Sequence, residues 1–254
     1  MLKIFSIPAL KDNYIHVILD SSTKKCACID PADAESVISF LKKEDLEISY
    51  ILNTHHHFDH VGGNLELKKK YKCKIIGNQN DKHRIPGIDI CLSPGQLFLI
   101  GNLELKVLDL PGHTIGHIGF YFKKNNTLFC GDTLFSLGCG RLFEGTAKQM
   151  KSSLLKIREL PDSTRIFFGH EYTESNANFA KSLEPNNHCL NLKIKEIKAQ
   201  RKRNKPTVPS KLEDEKKLNP FLRFDDKKYI NKIGIKYESA EKNLMTLRTM
   251  KDSF

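Results

Sequence analysis

No stretch of this 254-residue sequence approaches the roughly 20 consecutive apolar residues that a membrane-spanning helix needs. The amino terminus offers only Ile4 to Leu10 before Lys11 and Asp12 interrupt it, too short and too early charged for a secretory signal. The cysteines build no framework: seven residues (26, 28, 73, 91, 130, 139, 189) are odd in number and scattered. Cys26-Ala27-Cys28 lacks the two-residue spacer of a redox or zinc pair, and its alternation suggests a buried strand. Reduced thiols in a cytoplasmic protein are expected. Arginine is scarce, eight of 41 basic residues, so the net charge of +11 is mostly lysine spread along the chain. Only 193–205, around Arg201-Lys202-Arg203, clusters it, and a solvated helix face accounts for that segment. A diffuse excess raises encounter rates with anions and does not decide function. Internal repeats are also absent.

What is present reads as an ordinary enzyme-sized globular chain, 39% hydrophobic and long enough for one large domain or a domain with an appendage. Up to about residue 172, short β-branched strands alternate with helices. Strands are expected at Ile4–Ile7, Tyr14–Leu19, Ala27–Ile29, Tyr50–Asn53, Lys74–Ile76, Gln96–Ile100, Leu103–Leu108, Ile118–Phe122, Thr127–Cys130 and Arg165–Phe168. Helices are expected at Ala34–Lys43, Leu65–Tyr71 and Met150–Glu159. Lys123-Lys124-Asn125-Asn126 reads as a hairpin turn. Beyond Thr173 the strands are expected to stop, leaving helices at Ser175–Ser182, Cys189–Arg203, Lys211–Leu218 and Ser239–Thr249, punctuated by Pro206, Pro209 and Pro220.

The run Thr54-His55-His56-His57-Phe58-Asp59-His60 holds five potential metal ligands in six residues, at the carboxyl end of a buried strand. If the run is extended, His55, His57 and Asp59 share one side, while His56 and Phe58 face away. Three later strands also stop near a glycine beside a His or Asp: Pro111-Gly112-His113-Thr114, Cys130-Gly131-Asp132-Thr133 and Gly169-His170-Glu171-Tyr172. With His56 set aside, His55, His57, Asp59, His60, His113, Asp132 and His170 make seven ligands. That is too many for one tetrahedral zinc, but it suits two metals sharing a carboxylate. Asp30 and His117 fit a supporting role. His16, His83 and His188 have no motif context.

These motifs resemble the metallo-β-lactamase superfamily, whose signature is T-H-x-H-x-D-H followed by separate His, Asp and His positions. Within it the chain is similar to the hydroxyacylglutathione hydrolase (glyoxalase II) family. That narrower match rests on Gly131-Asp132-Thr133-Leu134-Phe135, Gly138-Cys139-Gly140-Arg141, Phe143-Glu144-Gly145-Thr146-Ala147 and Gly169-His170-Glu171-Tyr172-Thr173. Asn219-Pro220-Phe221-Leu222-Arg223 and Arg248-Thr249-Met250-Lys251-Asp252 extend it to the carboxyl terminus. The resemblance implies an α/β fold, the four-layer αβ/βα sandwich, over residues 1–172, and a carboxyl-terminal helical substrate-binding domain over 173–254.

It also implies hydrolysis of S-lactoylglutathione to D-lactate and glutathione in methylglyoxal detoxification. His55, His57 and His113 would hold one divalent metal and Asp59, His60 and His170 the other. Asp132 would bridge them, with Asp59 and Asp132 acting through a bridging hydroxide. Zn2+ is the first expectation, with Fe or Mn as alternatives. Arg141, Phe143, Tyr172, Arg248 and Lys251 would contact the glutathione part. The family often carries Lys where Arg141 stands and Tyr where Phe143 stands, which exchanges a point donor for a planar fork and removes a hydroxyl. The implied partner is a small glutathione thioester, with no nucleic acid and no membrane, taken up by a monomer. The rivals are a persulfide dioxygenase, an RNA-processing nuclease of the same superfamily, and a binding protein without catalysis.

Overall fold

Continuous apolar, β-branched runs bury both faces of a strand, and this property organises the amino-terminal part of the chain. The computed structural model describes residues 1–254 and divides into two units: Met1–Asp109 with Gly116–Gly131, and Leu110–Ile115 with Asp132–Phe254. In the first unit, β1 (Leu2–Ala9), β2 (Asn13–Asp20), β3 (Cys26–Ile29), β4 (Tyr50–Leu52), β5 (Lys74–Asn78) and β6 (Ile90–Leu92) form a sheet in chain order. β1 to β3 pair antiparallel and β3 to β6 parallel. β2 and β3 are buried along their whole length.

Parallel neighbours need long crossovers, and α1 (Ala34–Glu44) and α3 (Asn64–Tyr71) supply two of them. Asp33 caps α1 by accepting from Ser36 N–H at 2.8 Å. Val37, Leu41 and Leu67 of these helices join Val17, Cys28, Ile51 and Ile75 in one buried cluster. Between β4 and α3 stands the four-residue α2 (Phe58–Val61). An antiparallel meander completes the unit: β7 (Leu97–Ile100), β8 (Leu103–Asp109), β9 (Ile118–Phe122) and β10 (Thr127–Phe129). The turn expected between β9 and β10 is there, closed by Asn126 in the left-handed region at φ 44°.

The second unit opens with a tight hairpin, β11 (Leu134–Phe135) and β12 (Gly138–Cys139). α4 (Ala147–Arg158) follows, started by a reciprocal Thr146–Gln149 capping box, and then β13 (Arg165–Phe167). Helices α5 (Thr173–Leu183) and α6 (His188–Lys202) pack Ala177, Ala180, Leu190, Ile194 and Ile197 into a buried cluster with Leu137 and Leu218. The strands do not stop at Thr173, as the sequence pattern predicts. Ser210–Lys211 forms β14, antiparallel to β13, a piece too short to show a period. α7 (Leu212–Leu218), α8 (Lys227–Lys232) and α9 (Ala240–Asp252) complete the chain. The strand β6, the hairpin β11–β12 and helix α8 were not foreseen, each being six residues or fewer. No helix is long and apolar enough to cross a membrane, and none of the seven cysteines forms a disulfide.

Candidate metal centre

In the first unit the chain leaves β4 at Leu52, and the ligand loop is held by buried polar contacts. Asn53 Nδ2 donates to His60 O at 3.0 Å, and Asn64 Nδ2 donates back to Asn53 Oδ1 at 2.8 Å, tying the loop to the start of α3. Asp30, just after β3, accepts from Thr54 N–H at 2.8 Å and from the Thr54 hydroxyl at 2.7 Å. Thr54 Oγ1 then lies 3.0 Å from His55 Nδ1, which leaves His55 Nε2 pointing at His57 Nδ1, also 3.0 Å away. Asp30 Oδ2 stands 3.2 Å from His60 Nδ1, and His60 Nε2 is 3.7 Å from Asp59 Oδ2. A carboxylate behind the far nitrogen of an imidazole fixes its orientation and raises its basicity toward a metal.

The ligand atoms of Asp30, His55 and His60 all lie within 4.8 Å of one another. His117, fully buried, stacks on His55 at 4.8 Å between ring centres. Gly131, at φ 47°, fits because a Cβ would collide with the Thr54 hydroxyl.

The alternation expected along this run holds only as far as His57. Phe58–Val61 is helical, so Asp59 and His60 are neighbours on one turn rather than alternate residues of an extended loop. Asp59 is instead aimed by Asn13 of β2, whose Nδ2 donates to both Asp59 O and Asp59 Oδ2 at 3.0 Å. His56 lies beside the buried Asp81, Nδ1 to Oδ2 3.4 Å, and Arg84 Nη2 reaches the other oxygen of that carboxylate at 2.6 Å. Phe58 is exposed. Neither Asn13 nor Asp81 carries any signal in the sequence, since both act through tertiary contact.

In the second unit Asp132 stands between two of the expected ligands. Its Oδ2 lies 3.5 Å from His113 Nε2 and 3.2 Å from His170 Nε2, with all three side chains buried. His113 Nδ1 is 2.9 Å from Arg141 O; a carbonyl can only accept, so Nδ1 carries the proton and Nε2 keeps its lone pair. The His113 segment is pinned by Ser153, whose hydroxyl donates to Pro111 O at 2.7 Å, and by Phe143 N–H, which donates to His113 O at 3.2 Å. Gly140 has no alternative, because a Cβ there would collide with Asp132 O. Tyr172 stacks parallel on the His170 ring at 4.8 Å, and Phe135 meets Tyr172 edge-on at 5.3 Å. Imidazole nitrogens, with oxygens behind the far nitrogens of His113 and His60, together with carboxylate oxygens are the donor set that divalent first-row cations take.

Two guanidinium groups share one carboxylate at the end of α9, and Lys251 precedes that carboxylate in the chain. Asp252 Oδ1 is 3.2 Å from Arg141 Nε and 3.1 Å from Arg248 Nη2. Arg248 is buried, with 5% exposed, and its Nη1 donates to Cys139 O at 2.8 Å. Lys251 Nζ donates to Ser175 Oγ at 2.8 Å. Burial, then the Arg248 and Arg141 charges, push the Lys251 pKa down to about 8. Phe143 is exposed, and its ring meets that of His113 at a steep angle with 5.2 Å between ring centres. The five residues expected to meet substrate thus all lie in the second unit. Arg141 and Lys251 are the more available cations, whereas the Arg248 guanidinium is largely engaged by protein.

The family model described as "Metallo-beta-lactamase superfamily" matches residues 13–170, and that described as "Hydroxyacylglutathione hydrolase C-terminus" matches 171–254. The hydroxyacylglutathione hydrolase of Rhodospirillum rubrum is 46% identical over 253 residues, covering 100% of this chain and 99% of its own. Among solved structures, ETHE1 from Myxococcus xanthus superposes with a TM-score of 0.69 at 22% identity, covering 98% of this chain and 90% of its own, a likeness of fold alone. TTHA1623, solved in a di-iron-bound form, superposes with a TM-score of 0.58 at 28% identity over 65% of this chain and 91% of its own. With both halves matched and nearly half of all positions identical along its full length, the chain belongs to the hydroxyacylglutathione hydrolase family within the metallo-β-lactamase superfamily.

Proposed function

We propose that this chain hydrolyses S-2-hydroxyacylglutathione thioesters, S-lactoylglutathione foremost, to the 2-hydroxy acid and glutathione with the help of two divalent metals. The observation that carries this reading is Asp132, one carboxylate oxygen facing both His113 and His170 within 3.5 Å. A carboxylate shared by two imidazoles from distant parts of the chain is the arrangement a bridging ligand needs. His55, His57 and His113 are assigned to one metal, and Asp59, His60 and His170 to the other. Zn2+ suits this set, and the di-iron form of TTHA1623 keeps iron in view.

Bound there, divalent cations lower the pKa of water from 15.7 to about 7 and stabilise negative charge on a thioester oxygen. The protein's own residues supply orientation. Asn13 holds Asp59, Asp30 stands behind His60, and the Arg141 carbonyl fixes the proton of His113 on Nδ1. The leaving thiolate has a conjugate-acid pKa of about 8.5 and departs without a dedicated proton donor. The carboxylates of glutathione are matched by Arg141, Arg248 and Lys251, three positive charges against the single Asp252. Tyr172 and Phe143 are assigned to line the same substrate. Residues 1–172 are taken as the metal-holding domain and 173–254 as the substrate-holding one. Seven cysteines without a disulfide, most of them buried, suit the cytoplasm.

The test is metal analysis of purified protein coupled to an S-lactoylglutathione assay. About two metals per chain and metal-dependent thioester cleavage are expected. A metal-loaded protein that leaves S-lactoylglutathione intact but consumes oxygen with glutathione persulfide, or cuts RNA, would overturn the assignment.

A further inference from the structure

The turn of the hairpin β11–β12 is tied down almost atom by atom by buried polar side chains. Glu215 of α7, fully buried, accepts from Leu137 N–H at 2.8 Å and from the Asn219 carboxamide at 2.9 Å. Asn219, one helical turn later and equally buried, also directs Nδ2 at Phe135 O and Gly138 O, each 3.1 Å away. Its Oδ1 accepts from Phe221 N–H at 2.9 Å, so the carboxamide cannot flip without losing that bond. Asn176 of α5 donates to a third carbonyl, Ser136 O, at 3.1 Å. Leu137 sits in the left-handed region at φ 56°, a conformation a non-glycine residue keeps only where its surroundings hold it.

The hairpin held in this way lies between Asp132 and Arg141 along the chain. It begins two residues after Asp132 and ends at Cys139, whose carbonyl takes the Nη1 hydrogen of Arg248. Its Phe135 ring meets Tyr172 edge-on. Two residues past Cys139 comes Arg141, which shares Asp252 with Arg248. A buried carboxylate beside a buried carboxamide is a costly way to fill space, since an apolar pair of that volume would avoid the desolvation. Desolvation also pushes the Glu215 pKa upward.

We propose that Glu215 and Asn219 are positioning residues for substrate binding, a buried peg that sets the hairpin and, through the Cys139 carbonyl, aims Arg248 at the glutathione part. The inference rests on the thioesterase reading above. A loosened hairpin leaves the Arg248 fork without its fixed acceptor, so affinity for the charged ends of the thioester falls while the reacting end is served as before.

The experiment compares S-lactoylglutathione with the S-lactoyl thioester of N-acetylcysteamine, which lacks the charged ends, in metal-loaded protein. Asn219→Ala should raise KM for the glutathione thioester about tenfold, with kcat and metal content within about twofold. The small thioester should change less than about twofold in kcat/KM. Asn219→Ser, which keeps one donor, should fall between wild type and Ala, and Glu215→Gln, whose oxygen can still accept from Leu137 N–H, should stay near wild type. Glu184→Gln loosens a buried ion pair with Arg223 elsewhere in the second unit and serves as the control. It should lower Tm without any split between the two thioesters. Equal losses on both thioesters, an unchanged KM, or loss of folding in both Asn219 variants would overturn the proposal. Failure of the wild type on S-lactoylglutathione would instead sink the thioesterase reading itself.

Discussion

The two units hold the metal ligands assigned to them in opposite ways. In the first, four ligands lie within six residues, and Asp30, Asn13 and Asn53 brace a loop that was already nearly complete in sequence. In the second, three ligands are spaced 19 and 38 residues apart, and they meet only because folding brings His113 and His170 to Asp132. The first unit contributes ligands and their props alone. The second adds every cation assigned to substrate. A contiguous loop can be braced by a few local contacts, whereas a scattered set needs the surrounding helices and hairpin to hold it, so binding and positioning are concentrated where the ligands are scattered.

The largest test of that contrast is loss of metal. Asp132→Ala removes the carboxylate oxygen that faces both His113 and His170, and both metals should be lost, with activity falling roughly 10³-fold or more. His57→Ala, in the contiguous loop, should reduce metal content from about two to about one and keep the remaining ion. Metal analysis of the two variants side by side decides the matter. Equal losses in both would mean that the two ligand sets are equivalent and the contrast is wrong.

The next effect sharpens the other side of the comparison. Lys251→Ala should raise KM for S-lactoylglutathione while metal content stays at the wild-type value. A charge-assisted contact contributes about 1.5–3 kcal/mol, or roughly 10- to 150-fold in kcat/KM. Partial exposure of the ammonium places the expectation at the lower end of that range. Arg248→Ala should raise KM too, but with a lower Tm, because it also strips the Cys139 carbonyl of its donor inside the fold. If metal content drops in either variant, the division between ligand-holding and substrate-holding residues fails.

The same two units differ in how much of them could be read beforehand. The long strands of the first unit follow from apolar or alternating runs bounded by turn residues, and the seven assigned ligands stand out because His and Asp recur at strand ends. The sequence missed what works through space. Asn13 is 46 residues from the carboxylate it aims, and Asp81 supports His56 from a single-turn helix. The hairpin β11–β12 has two-residue strands, too short for any period, and it is held by side chains about 40 to 80 residues away. Arg248 was readable as a cation near the end of a helix. That its guanidinium is buried against Cys139 was not.

A smaller effect is expected from pH. Lys251 is held down to about 8 from its ordinary 10.5 by burial and two guanidinium neighbours. As pH rises through about 8 the ammonium is lost, so KM for the anionic thioester should climb, and the inflection should vanish in Lys251→Ala. The accompanying stability change has the opposite sense. Between about 8 and 10.5 the unfolded chain holds a proton on this lysine that the folded chain has released, so this group makes folding more favourable as pH rises. A KM profile flat from pH 7 to 9 would show that Lys251 does not meet the substrate charge.

The smallest change returns a hydroxyl to the one assigned substrate residue that departs most from the family pattern. Phe143 is exposed, and its ring meets that of His113 at a steep angle, so Phe143→Tyr would add a hydroxyl at the surface without repacking a core. A neutral hydrogen bond contributes about 0.5–1.5 kcal/mol, and exposure to water reduces that, so kcat/KM for S-lactoylglutathione should improve by about two- to threefold through KM. The N-acetylcysteamine thioester should gain nothing, because it lacks the groups a phenol at this rim would reach. An equal gain on both thioesters would assign position 143 to the acyl end of the substrate rather than to glutathione.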